Sequence, residues 1–101
     1  MSVIMCLRIP IDPNRFEDVA QKSSTRLDGI FAKAQAAGVM HHTFCAGDGE
    51  VIVLDEWPDE ASFTAFFEAS SEEIVSMFAE AGMESRPEPQ FWRVIDTADR
   101  V

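Results

Sequence analysis

The two histidines are the side chains of this sequence best suited to general-base chemistry. Histidine gains and loses a proton near neutral pH, so it can take a proton from a substrate and return it. His41 and His42 are adjacent in a strand-like run, residues 39–46. Neighbouring strand residues point to opposite faces, so one cavity can be lined by only one of them. His41 shares its face with small and polar residues and is the predicted base, with a structural imidazole as the alternative.

Arg8 and Arg93 are charged residues inside otherwise apolar strand-like runs. A buried guanidinium without a partner costs several kcal/mol, so a carboxylate is expected close by. Arg8 is therefore predicted to pair with Asp55 or Glu56 across the sheet. The alternative is that Arg8 or Arg93 receives an anionic oxygen of a ligand through its fork of donors.

Phenylalanine recurs at helical spacing in the second half of the chain. Phe63, Phe66 and Phe67 follow an i, i+3, i+4 pattern, which places them on one helix face. Such a stripe usually packs against a sheet as core. A pocket beneath it would be apolar and aromatic, which favours a hydrophobic small-molecule ligand and makes Phe63 and Phe67 the predicted ligand-binding residues.

Strand and helix signals alternate along the chain in the order β-α-β-β-α-β. Strands are predicted where short apolar runs end at Pro, Gly or Asp, and helices where apolar residues recur every three or four positions. The predicted strands are residues 2–9, 39–46, 50–57 and 89–95, and the predicted helices are residues 14–37 and 59–82.

Turn and cap residues support these boundaries. Asp48-Gly49 between two apolar runs is a strong hairpin signal. Asp12 is a candidate N-cap for one long first helix. The second helix is predicted to bend or restart at residues 70–73, because Ser-Ser-Glu-Glu has the form of a capping box.

This order predicts an α+β fold in one domain, residues 1–101. With right-handed crossovers it gives the ferredoxin-like arrangement, a four-stranded antiparallel sheet in the order 4-1-3-2 with the helices on one face. The first and third strands are apolar on both faces. A large exposed apolar face is rare on a monomer, so the sequence predicts a homodimer whose sheets pack face to face.

Composition excludes several classes of function. The chain has 18 acidic and 8 basic residues and a net charge of −10, which is unsuited to nucleic acid or to an anionic membrane surface. Apolar runs are shorter than the roughly 18 residues of a membrane span. Cys6 and Cys45 lack metal-site spacing, so no metal is expected. We expect a cytoplasmic protein.

The run VLDEWPDEASF, residues 53–63, resembles the dimeric α/β-barrel superfamily and its antibiotic-biosynthesis-monooxygenase-like group. In that group an acidic residue and a Trp end the third strand, and a short acidic turn leads into the next helix. The resemblance implies a homodimeric barrel and a pocket between sheet and helices, with Trp57 at its mouth. It also implies, for some members, oxygenation of aromatic or polyketide-like compounds without a cofactor. The Asn and helical His of the haem-degrading branch have no counterpart here, which disfavours haem degradation.

Two functions stay open at this point. One is a cofactor-independent oxygenase with His41 as base, Arg8 or Arg93 as anion stabiliser and Trp57 as a stacking wall. The other is a non-catalytic dimeric module that binds a small molecule or a partner. Haem binding through either histidine is a third. Convergence of a histidine and an arginine on a closed cavity would favour the oxygenase, because fold alone does not imply activity.

Overall fold

Residues 1–100 are described by a computed structural model, in which strands and helices follow the predicted order with one helix more than expected. The elements are β1 (Val3–Ile9), α1 (Pro13–Lys22), α2 (Ser24–Ala36), β2 (His41–Gly47), β3 (Glu50–Trp57), α3 (Glu60–Glu80) and β4 (Gln90–Arg93). The last strand is shorter than the run 89–95 that was predicted.

The strands form an antiparallel sheet in the order β2-β3-β1-β4, which confirms the predicted topology. β2 and β3 are joined by a two-residue turn at Asp48-Gly49, where Gly49 has a φ of 72°. Such a turn needs a residue that tolerates positive φ, which glycine does without steric cost. The turn sets a register in which His41 lies opposite Glu56 and His42 opposite Asp55.

The single long helix predicted over residues 14–37 is wrong, since the chain breaks at Ser23 into α1 and α2. Asp12 caps α1 as predicted, accepting a hydrogen bond from the backbone N–H of Asn14 at 3.0 Å. Ser23 has φ −113° and ψ 28°, outside the helical region, and its N–H donates to the carbonyl of Val19. The apolar spacing continues past this residue, so periodicity alone did not indicate the break.

The predicted restart of the second helix at residues 70–73 is also wrong, because α3 runs without interruption from Glu60 to Glu80. Asp59 caps it, accepting from the backbone N–H of Ser62 at 2.7 Å. Ser70 is 1% exposed and lies among the core-facing residues of α3 rather than at a cap. Burial of the apolar face on both sides of Ser70 therefore outweighs the local capping signal.

The core fills the space between the helices and one face of the sheet. Its strand residues are Met5, Leu7, Ile9, Val51, Val53 and Trp57. The opposite face of the sheet is open: Leu54 is 39% exposed and Trp92 is 54% exposed. Among the helices of residues 1–100, none has both the length and the apolarity needed to cross a membrane.

Candidate functional site

An apolar cavity lies between the helices and the sheet. α2, α3 and three strands contribute its walls, which are Met5, Leu7, Leu27, Ile30, Phe31, Ala34, His42, Phe44, Val53, Asp55, Phe63, Phe66, Phe67, Ile74, Met77 and Phe78. Its volume is about 70 Å³. Since a water molecule needs at least about 10–15 Å³ of such space, the cavity has room for about five waters. It is not fully closed, because the lining residues His42 and Phe31 are partly exposed.

His42 and Asp55 are the ionisable groups among these lining residues. They are direct cross-strand partners on β2 and β3, and Nδ1 of His42 lies 2.6 Å from Oδ1 of Asp55. The Asp55 side chain is 6% exposed, and that of His42 is 27% exposed. The sheet register therefore presents one hydrogen-bonded histidine and carboxylate pair to an otherwise apolar space.

The second oxygen of Asp55 is also occupied. Nε1 of Trp57, two residues along β3, donates to Oδ2 of Asp55 at 3.1 Å, and Trp57 is fully buried. An ionised carboxylate only accepts hydrogen bonds, so with Asp55 charged the proton of a neutral His42 ring lies on Nδ1. The free Nε2 atom of His42 is then the basic nitrogen available to a ligand.

Aromatic rings surround the imidazole. The ring of His42 meets Phe44 edge to face, with centroids 4.7 Å apart, and lies 5.5 Å from Phe31. On the α3 side, Phe63 packs against Phe67 at 5.4 Å. Aromatic rings on this side of the imidazole lower the local dielectric and strengthen electrostatic interactions within the cavity, while the His42 side chain stays 27% exposed.

The cavity histidine is His42, and the predicted placement of His41 is wrong. His41 lies on the open face of the sheet with its side chain 77% exposed, and its Nε2 is 4.0 Å from Oε1 of Glu56. The register explains this result. Asp55 alternates with Val51 and Val53 towards the helices, and its partner His42 shares that face.

Arg8 and Arg93 both lie away from the cavity. The prediction that Arg8 pairs with Asp55 or Glu56 is wrong. It donates from Nε and Nη2 to the two carboxylate oxygens of Glu50, at 3.0 and 2.9 Å. This contact raises the pKa of the Arg8 guanidinium and lowers the pKa of the Glu50 carboxyl.

The strand register again gives the reason. Asp55 lies opposite Met5 on β1, three residues from Arg8, which is too far along the strand for a direct contact. Arg93 is exposed at the end of β4. No arginine or lysine from residues 1–100 lines the cavity, so the convergence of a histidine and an arginine that was expected of an oxygenase does not occur. His42 and Asp55 converge there instead.

The predicted ligand-binding aromatics divide into two layers. Phe63 and Phe67 line the cavity, as their spacing suggested. Trp57 is not among the lining residues; it lies behind Asp55 and packs against Phe63 and Phe66, at 5.6 and 5.4 Å. Trp57 therefore supports the carboxylate, and a role as the stacking wall stays a prediction without a direct contact to the cavity.

A separate polar cluster surrounds Glu56 on the open face. Glu56 is 4% exposed and accepts hydrogen bonds from the hydroxyl of Ser2 and the guanidinium of Arg100. These two donors lower the pKa of the Glu56 carboxyl. The cluster lies on the opposite side of the sheet from the cavity. In the described part of the chain, no three His, Cys, Asp or Glu residues converge on a common metal position.

Known structures share this fold. No protein-family model and no curated protein matches the chain in sequence. A monooxygenase from the gene ActVA-Orf6 of Streptomyces coelicolor, in complex with nanaomycin D, is 16% identical with a TM-score of 0.72, covering 99% of this chain and 93% of that one. A dimeric ferredoxin-like protein from an uncultured marine organism is 12% identical with a TM-score of 0.70, covering 99% and 93%.

A third similar structure is SnoaB from Streptomyces nogalater, described as a cofactor-independent oxygenase. A mutant form of SnoaB is 16% identical to this chain with a TM-score of 0.64, and the match covers 98% of each chain. Identities this low establish the fold and leave the chemistry to the residues of each site. The chain thus has the ferredoxin-like α+β fold that these solved structures share.

Proposed function

We propose that this protein is a cofactor-independent oxygenase of small planar compounds that carry an acidic C–H or O–H group, such as aromatic or polyketide-like ketones and phenols. The observation that carries the proposal is the contact of His42 with Asp55, 2.6 Å long, inside an apolar cavity. His42 replaces His41 as the base.

The chemistry needs a base, a water-poor space and dioxygen. Nε2 of His42 removes a proton from the substrate, and the resulting enolate or phenolate reduces dioxygen. Recombination forms a C–O bond and a peroxide, which takes the proton back from the imidazolium. Loss of water then converts the carbon that carries the peroxide to C=O; this carbon is the CH₂ group of a ketone or a ring C–H carbon of a phenol. One oxygen atom enters the product and the other leaves as water, so the substrate is its own electron donor.

The cavity supports this sequence of steps through its electrostatics. Within residues 1–100, no cation other than a protonated His42 is placed to face the substrate anion, since Arg8 and Arg93 lie elsewhere. Asp55 stabilises the imidazolium and keeps its ring oriented, as a carboxylate does for a catalytic histidine. An ion pair between imidazolium and substrate anion is worth more in an apolar cavity than in water.

Two of the similar structures belong to oxygenases, which supports this proposal. One is a monooxygenase with a bound ligand, nanaomycin D, and another is a cofactor-independent oxygenase. Their chains superpose over nearly the full length of this one. Carrying their activity to this chain is part of the proposal, and the His42 and Asp55 pair is the reason for it on this chain's own residues.

The proposal includes a homodimer joined through the open sheet face. Ile4, Ile52, Leu54 and Trp92 leave apolar surface on that face, which a second copy would cover. One structural neighbour is a dimeric ferredoxin-like protein. The cavity lies on the other side of the sheet, so each subunit keeps its own site.

Oxygen uptake tests the function. We would offer 2-indanone, a small enolisable planar ketone, and record dioxygen consumption by the parent protein, His42→Gln and the adjacent His41→Gln. Loss of a general base lowers turnover by roughly 100-fold to 10,000-fold, so we expect that loss for His42→Gln only. Absence of uptake by the parent would refute the oxygenase, and equal rates for parent and His42→Gln would refute the proposed base.

A further inference from the structure

We infer that the same cavity has a second activity that needs no oxidant: reversible proton transfer at the carbon next to a carbonyl group, which interconverts keto and enol forms of neutral planar ketones. The inference rests on the proposed function, because it uses the same site, but it does not depend on dioxygen. It follows from how the protons of the His42 and Asp55 pair are placed.

The proton taken from a substrate can reside only on His42. Both oxygens of Asp55 already accept hydrogen bonds, one from His42 at 2.6 Å and one from Trp57 at 3.1 Å. Asp55 is thereby kept as an acceptor, and the transferred proton resides on Nε2 of His42. A proton held there faces the substrate anion that released it and can be returned to either its carbon or its oxygen.

Proton transfer from the substrate carbon breaks and forms bonds to hydrogen without oxidising the substrate. The C–H bond breaks, its electron pair moves into the carbonyl group to give an enolate, and Nε2 of His42 is protonated. Return of a proton to carbon regenerates the ketone, and return to oxygen gives the enol. No electron leaves the substrate, so no oxidant or reductant is required.

The imidazole also has a route to water. Its side chain is 27% exposed although it lines the cavity. A proton on the ring therefore exchanges with solvent while the substrate anion is held among the phenylalanine rings. In deuterium oxide, the proton returned to the substrate carbon is then replaced by deuterium.

The lining residues select the charge and size of the ligand. No lysine or arginine of residues 1–100 faces the cavity, and the Asp55 carboxylate lies in its wall, so a ligand carboxylate would be repelled. A volume of about 70 Å³ restricts the ligand to a small molecule, part of which can extend past the partly exposed His42 and Phe31. The expected ligands are therefore uncharged cyclic ketones with an acidic α C–H.

Hydrogen–deuterium exchange under anaerobic conditions tests this inference. The probe is 2-indanone in deuterium oxide, and proton NMR follows the loss of its CH₂ signal above the buffer background. We expect acceleration by the parent and by His41→Gln, and a rate lower by roughly 100-fold to 10,000-fold for His42→Gln. Equal rates for the parent and His42→Gln would overturn the inference.

A second variant retains His42 as the base and fills part of the cavity. Ala34 lines the cavity and is 7% exposed, so Ala34→Leu places extra side chain inside it while His42 and Asp55 are both retained. We expect this variant to lose exchange of 2-indanone while circular dichroism shows a folded protein. Retention of full exchange in folded Ala34→Leu would mean that the reaction occurs elsewhere, against the inference.

The same ketone in air separates this inference from the oxygenase. Exchange without oxygen uptake would support the proton-transfer activity and refute the oxygenase. Oxygen uptake that depends on His42, with no anaerobic exchange, would leave the oxygenase standing and overturn the inference, because the proton would then not return to the substrate.

Discussion

Replacing Trp57 by phenylalanine should weaken the fold by removing the indole N–H that supports Asp55. The indole is fully buried and donates to Oδ2 of the carboxylate at 3.1 Å. A hydrogen bond to a charged group contributes about 1.5–3 kcal/mol, and that oxygen would lose its donor. The smaller ring also leaves space, which at about 0.8 kcal/mol for each buried CH₂ equivalent adds about 2 kcal/mol.

The expected loss in the free energy of unfolding is therefore about 3–5 kcal/mol. This is a large share of the roughly 5–15 kcal/mol that stabilises a typical domain. Urea unfolding at pH 7, followed by far-ultraviolet circular dichroism, measures the loss. A second measurement isolates the hydrogen bond: in an Asp55→Asn background the acceptor is neutral, so Trp57→Phe should cost less, by about 1 kcal/mol.

Two results would refute this reasoning. One is a loss below about 1 kcal/mol for Trp57→Phe, which would mean that the indole N–H contributes nothing to the buried carboxylate. The other is the same cost in both backgrounds, which would mean that Trp57 acts through packing alone.

Three further changes test other parts of the structure. Ser70 is buried and its hydroxyl has no hydrogen-bond partner within residues 1–100, so Ser70→Ala should raise the free energy of unfolding by about 1–2 kcal/mol in urea titrations. The hydrogen bonds that Asp59 accepts at the start of α3 lower the pKa of its carboxyl, so its contribution is present above the unfolded-state pKa and lost as pH falls through the folded-state value. Asp59→Ala should therefore lower the urea midpoint at pH 7 and match the parent in strong acid; an unchanged gap at low pH would contradict the cap assignment. Leu54→Asp on the open face should dissociate the proposed dimer in sedimentation experiments, whereas Val53→Asp, 5% exposed on the helix side, should unfold the subunit. A folded monomer of the parent at micromolar concentration would contradict the proposed dimer.

Strand order could be predicted from the sequence, because short apolar runs bounded by turn residues mark the strands, the Asp48-Gly49 turn joins two of them, and right-handed crossovers leave few arrangements. The helix details could not. Ser23 interrupts a helix without disturbing the apolar spacing, and Ser70 belongs to a capping-box pattern that core packing overrides. At Ser70 tertiary burial decided the outcome over a local signal, whereas at Ser23 the apolar spacing carried no sign of the break.

The cavity pair could have been predicted with one more step. A two-residue turn at Asp48-Gly49 places Gly47 opposite Glu50, and counting outward from there places His42 opposite Asp55. The small and polar neighbours of His41 instead favoured that residue, although the register set by the turn pairs His42 with Asp55. The partner of Arg8 followed the same register, whereas the hydrogen bond from Trp57 to Asp55 depends on side-chain conformation, which no sequence pattern specifies.

The central claim, that His42 initiates oxygenation in this cavity, is tested most directly by labelled dioxygen. The parent, His42→Gln and His41→Gln would each react with 2-indanone under ¹⁸O₂, and mass spectrometry would count the label in the diketone product. We expect one ¹⁸O atom in each product molecule, comparable yields from the parent and His41→Gln, and a yield lower by roughly 100-fold or more from His42→Gln. Unlabelled product, or equal labelled yields from the parent and His42→Gln, would contradict the account.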